Sequence, residues 1–290
     1  MNAKSDHANT QDDTGEPWDR FYQNTFSVGA EDEFDLNNSW RLMAGLSLDY
    51  LKKQTGENAT RLNPLLGIRF SPEKHLSAYL SLSQKSRFPS MKSLYSPSSG
   101  NPDLRDETSR TIELGLNYDK KFRFSGTIFY NRIEDLIQSY RLETGYSVYL
   151  NIGKAEIKGF EMAIGKNLSI FNVDLNGTFI SAKDLTTDEK LDLVPKAQIN
   201  LYLQTREYKK FSMTLWSVYA SSTTARVGSS VIDVPGYTLV NLRLEREFKS
   251  FTLYLKFDNL LDKFYVTEPG FPMKARTISI GFSGMLGGQK

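Results

Sequence analysis

The sequence predicts an all-β fold: an antiparallel up-and-down transmembrane β-barrel with about 13 strands. Three observations predict it. Apolar residues recur at every second position in one segment after another. Short turns alternate strictly with long polar loops between Phe26 and Phe282. Aromatic residues bracket the short turns again and again.

Residues 1–19 are expected to be a polar tail, the remnant of an extracellular loop. Met1–Pro17 (MNAKSDHANTQDDTGEP) has no apolar h-region and is not a secretory signal peptide. A barrel must be exported, so the chain is expected to have lost its leader or to be part of a longer protein. Residues 20–290 are expected to form the barrel domain. The first strands are expected over 22–34, 40–52 (Leu42, Ala44, Leu46, Leu48), 62–70 and 75–85 (Leu76, Ala78, Leu80, Leu82). The next is 108–118, where Ile112, Leu114, Leu116 and Tyr118 interleave with Glu113, Gly115 and Asn117. Then follow 122–138, 147–166, 171–182 (Phe171, Val173, Leu175) and 196–206 (Ile199, Leu201, Leu203). The last four are 211–221, 236–248 (Val240, Leu242, Leu244), 251–262 (Phe251, Leu253, Leu255, Phe257) and 276–286 (Ile278, Ile280, Phe282). Side chains alternate across a strand, so each segment presents one apolar and one polar face.

Alternation alone fits a soluble sheet and a membrane barrel equally. The connections discriminate. Short ones fall at Asp35–Ser39, Ser71–Lys74, Asp119–Lys121, Lys166–Ile170, Glu207–Lys210 and Lys249–Ser250, and long ones at 53–60, 86–107, 133–146, 183–195, 221–235 and 263–275. Barrels of the bacterial outer membrane have short periplasmic turns and long extracellular loops. The rings Tyr118 and Phe122, Tyr208 and Phe211, and Phe248 and Phe251 flank successive short turns, as a girdle at a membrane interface would.

Composition narrows the function. The 290 residues carry 36 basic and 34 acidic side chains, net +2, so no strong field points to nucleic acid. Mean hydropathy is −0.43 and no helix-length apolar run exists, which excludes helical spans and leaves a barrel open. Cysteine is absent and only His7 and His75 are present, so no metal site, cofactor or catalytic residue is expected. Three other classes stay open: a passive porin-like channel, an outer-membrane hydrolase and a soluble carbohydrate-binding β protein.

Four local patterns resemble TonB-dependent outer-membrane receptors. They are Arg87-Phe88-Pro89-Ser90 with Leu94-Tyr95, Asn101-Pro102-Asp103-Leu104 and Glu107-Thr108-Ser109; Asn151-Ile152-Gly153-Lys154-Ala155 with Gly159 and Glu161; Asn259-Leu260-Leu261-Asp262-Lys263-Phe264-Tyr265; and Gly270-Phe271-Pro272 leading through Arg276. Gly159 reads physically as a bend or close backbone approach, and Asn259 and Asp262 as turn caps. The resemblance departs at Asp106, where the family usually has proline, and at Ser283–Lys290, which follow the terminal aromatic Phe282.

The resemblance implies part of a larger barrel of about 22 strands, without the plug domain that precedes it. It implies active uptake of a ferric siderophore or related metal chelate, or of cobalamin, in the bacterial outer membrane. The implied partners are that ligand, outer-membrane lipid and the TonB energy-transducing complex, reached through the missing plug segment. Ligand contacts are expected from the long loops at Arg87, Tyr95, Arg105, Tyr140, Arg141 and Arg226, since Arg and Tyr suit anionic aromatic chelators. Arg243 and Glu245 are expected to face the lumen and the plug.

Overall fold

A computed structural model describes residues 2–10, 18–142, 146–228 and 230–284, with side chains for all of these except Asn2, Ala3 and Arg141. The chain opens with β1 (Asn2–Thr10), β2 (Asp19–Asp35), β3 (Trp40–Lys53), β4 (Ala59–Glu73) and β5 (Leu76–Arg87). A single-turn helix α1 (Met91–Tyr95) precedes β6 (Glu107–Asp119) and β7 (Arg123–Glu134). A side hairpin of β8 (Ile137–Arg141) and β9 (Ser147–Asn151) leads to β10 (Lys154–Asn167), β11 (Phe171–Asp184), β12 (Ala197–Thr205) and β13 (Phe211–Ala220). A second side hairpin, β14 (Thr223–Val227) and β15 (Ser230–Val234), is followed by β16 (Tyr237–Glu247), β17 (Thr252–Asp258) and β18 (Thr277–Ser283).

Fourteen strands form one antiparallel sheet in chain order, with the side hairpins standing apart as two-stranded ribbons. The expected wall strands are all present. The count rises from 13 to 14 because Asn2–Thr10, expected as loop remnant, pairs with β2 from Asn2↔Ser27 to Thr10↔Asp19. Residues 1, 11–17 and 285–290 lie outside the described set, including most of the tail beyond Phe282. Two expected long strands are each broken. The stretch 122–138 ends its wall pairing at Glu134, before Asp135 at φ 56, and 147–166 divides at Gly153 at φ 89. Both residues occupy the left-handed region, which turns the chain out of the ladder.

Consecutive antiparallel neighbours place alternate connections on opposite rims. One rim carries the tight links 36–39, 74–75, 120–122, 168–170, 206–210 and 248–251; the other carries 88–106, 135–153, 185–196, 221–236 and 259–276. The link 54–58 is the exception, being no longer than 206–210.

The register decides which face is which. Leu80, Leu114, Ile128, Phe160, Phe179 and Ala197 are direct cross-strand partners in one continuous row over six strands. Among the described residues nothing covers this row: Leu114 is 55% and Ile128 60% exposed. A soluble sandwich would bury it between layers; a barrel in lipid presents it outward. On the opposite face Asn172, Asp174 and Asn176 alternate with that row, and Asn200 donates to Asn176 at 2.9 Å. At the short-turn rim Tyr118 and Phe122 lie 5.0 Å apart and Phe248 and Phe251 4.7 Å, with Trp40 and Phe70 at 4.5 Å, while Tyr208 and Phe211 are joined through their backbones.

Gly159 marks a close approach, as its place in the sequence predicts. A Cβ there would lie 2.5 Å from the Phe179 carbonyl oxygen and 2.8 Å from the Phe129 ring. Gly159→Val is therefore expected to cost about 1–3 kcal/mol of overpacking, read as a lower urea midpoint for the membrane-inserted protein. An unchanged midpoint would remove this role.

Candidate functional site at the long-loop rim

Most of the buried apolar side chains among the described residues lie toward the long-loop rim. Residues 88–106 fold back against the wall. Ser90 caps α1 by accepting from the Ser93 N–H at 3.1 Å. Leu94 and Leu104 are 1% exposed and Tyr95 5%, packed with Phe21, Met91, Ile137 and Tyr149. The Tyr95 and Phe21 rings stack at 4.4 Å. Phe21 is the register partner of Ala8, so β1 backs the strand that holds this stack.

Amide side chains fasten the loop to the β8–β9 hairpin. Asn101 donates to the Tyr149 carbonyl at 3.0 Å, and the Tyr149 N–H donates to the Ser99 carbonyl at 3.0 Å. Asn151 accepts from the Arg105 N–H at 3.0 Å and donates to the Arg105 and Asp135 carbonyls at 3.0 and 2.6 Å. Losing these three bonds in Asn151→Ala is expected to loosen the loop by about 1–3 kcal/mol. Amide hydrogen exchange across 88–106 would then accelerate about tenfold or more; unaltered exchange would refute the anchoring role.

Two ion pairs close the loop. Asp106 is buried and receives the Arg61 guanidinium in a forked pair, with Nη2 to Oδ1 at 2.9 Å. The residue that departs from the expected proline thus has a positive structural role. Glu107, also buried, pairs with Arg87 and accepts the Ile137 N–H at 2.6 Å. Beside these pairs is a cleft of ≈ 450 Å³. Lys53, Arg61 and Arg105 line it with Glu57, Asp103 and Asp106, and Lys53 Nζ donates to the Leu104 carbonyl at 2.9 Å.

The sequence-predicted residues fall as follows. Arg87, Tyr95 and Arg105 belong to this loop unit. Arg87 holds Glu107, Tyr95 is a packing residue, and Arg105 pairs with Asp135 at 2.5 Å while bordering the cleft. Tyr140 is exposed on β8; Arg141 ends that strand, and its side chain lies outside the described set. Arg226, on β14, belongs to a second unit. Its guanidinium meets Glu189 at 2.6 Å and its N–H donates to Asp192 at 3.1 Å. That hydrogen bond to Glu189 raises the Arg226 pKa. Burial pushes the Asp192 carboxyl above its usual range. Arg243 and Glu245 lie on the polar face, 2.7 Å apart, with Arg243 4.2 Å from the Tyr254 ring centre. Sequence reasoning missed Lys53, Arg61 and Asp106, because register and loop folding, not a local residue pattern, bring them together.

A profile of the family described as "TonB dependent receptor-like, beta-barrel" matches residues 2–260. The chain belongs to this family. It is an outer-membrane receptor β-barrel, and not an enzyme. The TonB-dependent receptor barrel is 25% identical over 206 residues to the vitamin B12 transporter BtuB of Vibrio vulnificus, covering 70% of this chain and 33% of that protein. It is 23% identical over 241 residues to the hemin receptor of Yersinia pestis, covering 73% and 36%. The chain spans about a third of the length of these curated relatives. Among solved structures, the copper transporter OprC superposes with a TM-score of 0.79 at 17% identity, over 92% of this chain and 48% of that one. The FrpB iron transporter from Neisseria meningitidis gives 0.74 at 18%, over 91% and 45%. At these identities the structures establish the fold alone.

Proposed function

We propose that this chain forms the C-terminal barrel region of a receptor for active uptake of a scarce nutrient, a ferric siderophore or related metal chelate, or cobalamin. The folded loop 88–106 carries the reading: it builds a fixed cleft at the outer mouth with Lys53, Arg61 and Arg105 on its lining. These cations are set beside the carboxylates of Glu57, Asp103 and Asp106 and the apolar side chains of Leu51, Leu104, Pro89 and Pro102. Such a mixed lining suits a polar, charged ligand such as a metal chelate. Tyr140 on β8 and Arg226 on β14 are further proposed ligand contacts, as is Arg141 by its place in the sequence. The two sheet edges support incompleteness. β1 and β18 each have one neighbour among the described residues, and unpaired backbone groups in hydrocarbon cost several kcal/mol each. Further strands therefore complete the ring, a plug fills the lumen against Arg243 and Glu245, and TonB supplies energy through the plug segment.

The test is saturable uptake of ferric siderophores, haem and cobalamin by cells expressing the complete receptor, with and without TonB. TonB-dependent uptake of one of them is expected; its absence across the panel overturns the reading. Planar-bilayer conductance adds a second arm. A plugged receptor is nearly silent, whereas steady open-channel current would favour passive diffusion.

A further inference from the structure

Two of the long connections meet around a second cavity. Residues 185–196 fold back along β11. Lys183 and Lys190 are bridge partners, the Leu191 N–H donates to the Ala182 carbonyl at 3.1 Å, and the Ile180 N–H donates to the Lys196 carbonyl at 2.9 Å. Leu191 is 9% exposed and packs with buried Ala182 and Ala155, so the fold-back has a small core of its own. The start of the 221–236 connection is tied alongside it. The Leu193 N–H donates to the Thr224 carbonyl at 2.8 Å, and the Ala197 N–H to Ser221 Oγ at 3.2 Å. Between the two connections is a cavity of ≈ 360 Å³, a size typical of small-molecule sites.

Charge in this cavity is out of balance. Lys183, Lys190 and Lys196 line it, and Asp233 is the one carboxylate among the described lining residues. Asp188 pairs with Lys183 at 2.9 Å, while Lys190 and Lys196 have no ion pair among the described residues. Two other acids of this unit are already engaged, Glu189 by the Arg226 guanidinium and Asp192 by the Arg226 N–H. Lys196 is close enough to interact directly with the Lys190 ammonium. Its charge, supplemented by that of Lys183, holds the Lys190 pKa below its ordinary value. Like charges held together on a fixed backbone repel, and an anion between them removes the repulsion. Ser222, Thr223 and Thr224 also belong to the lining, with hydroxyls able to donate to an oxyanion.

We propose that this cavity binds a compact, multiply charged oxyanion of the phosphate class between Lys190 and Lys196, with Lys183 and the neighbouring hydroxyls completing the site. A phosphate group carries close to two negative charges near neutral pH and offers several acceptor oxygens, which matches two unpaired ammonium groups. Each ammonium contributes a point charge and three donors. No member of the outward apolar row lines the cavity, which favours an anion from solution over a lipid headgroup. The inference concerns this cavity alone and does not rest on which nutrient the receptor imports.

The test is isothermal titration of the whole receptor, purified from outer membranes and freed of lipopolysaccharide, with inorganic pyrophosphate and inorganic phosphate at constant ionic strength. Saturable binding of pyrophosphate is expected, weakened about tenfold or more in a Lys190→Gln/Lys196→Gln double variant. Lys120→Gln/Lys121→Gln, which removes the same charge at the short-turn rim, is expected to bind as the parent does. Undiminished binding by the first variant, or an equal loss in the second, overturns the proposal. Binding of diphosphorylated lipid A without binding of either inorganic anion overturns it as well. Should the first variant fail to fold, amine-reactive footprinting of the parent decides. Pyrophosphate should slow modification of Lys190 and Lys196 and leave Lys120 and Lys121 unchanged; no protection, or equal protection of all four, would refute the site.

Discussion

Leu114→Arg is expected to destabilise the inserted barrel by about 2–4 kcal/mol, the cost of a cation near the middle of the lipid-facing band. Leu114 sits in the continuous outward row, flanked by Leu80 and Ile128, with more than half of its surface uncovered by protein. No neighbouring carboxylate shares that row, and a guanidinium there must reach along the wall to water. One position away, Glu113 faces Ser81 and Phe129 on the opposite face. Glu113→Arg is expected to change stability by less than about 1 kcal/mol, as on a solvated surface. Unfolding in lipid vesicles by urea measures both. Similar losses at the two sites would mean that the two faces do not meet different solvents.

Asn259→Ala is expected to have the second large effect, about 3 kcal/mol, from lost hydrogen bonds and a strained backbone. Asn259 is buried at φ 52. Its amide donates to the Lys263 and Lys274 carbonyls at 2.9 and 3.3 Å, its oxygen accepts the Lys263 N–H at 2.9 Å, and its own N–H donates to Asn241 at 2.9 Å. One side chain therefore ties both ends of the connection between β17 and β18. Asn259→Gly relieves the backbone while still deleting the amide, so it is expected to lose less than Asn259→Ala. Limited trypsin digestion reads the outcome, since Lys263, Lys274 and Arg276 lie in the connection. Cleavage there should quicken in both variants and most in Asn259→Ala. Equal resistance in all three proteins would contradict the tie.

The wall was legible because a strand with different solvents on its two faces must alternate, and Ile112–Tyr118 or Phe251–Phe257 do so without interruption. β1 was not legible. Ser5, His7 and Asn9 make its outward row polar, and its placement rests on the backbone ladder to β2. The side hairpins were hidden for a related reason: Ile137–Arg141 and Ser230–Val234 are short, stand off the wall and have no membrane face to impose a period. Asp135 and Gly153 marked the departure, but a positive φ at aspartate is not announced by residue type. At the mouth, residue type pointed to Arg87, Tyr95 and Arg105 as ligand contacts, whereas Tyr95 is buried and the two arginines are held in ion pairs. It did not reveal their partners. Glu107, Phe21 and Asp135 reach these residues through register and loop packing, and composition holds no record of either.

A barrel wall requires one face of this sheet to meet lipid and the other an aqueous lumen. The absence of cysteine makes that directly measurable with single cysteines placed in turn from Thr111 to Asn117. In intact outer membranes, an aqueous maleimide should label the replacements at Thr111, Glu113, Gly115 and Asn117, while those at Ile112, Leu114 and Leu116 stay unlabelled. A bilayer-soluble maleimide should show the reverse. Uniform aqueous labelling, or protection of both sets, would contradict the barrel wall described here.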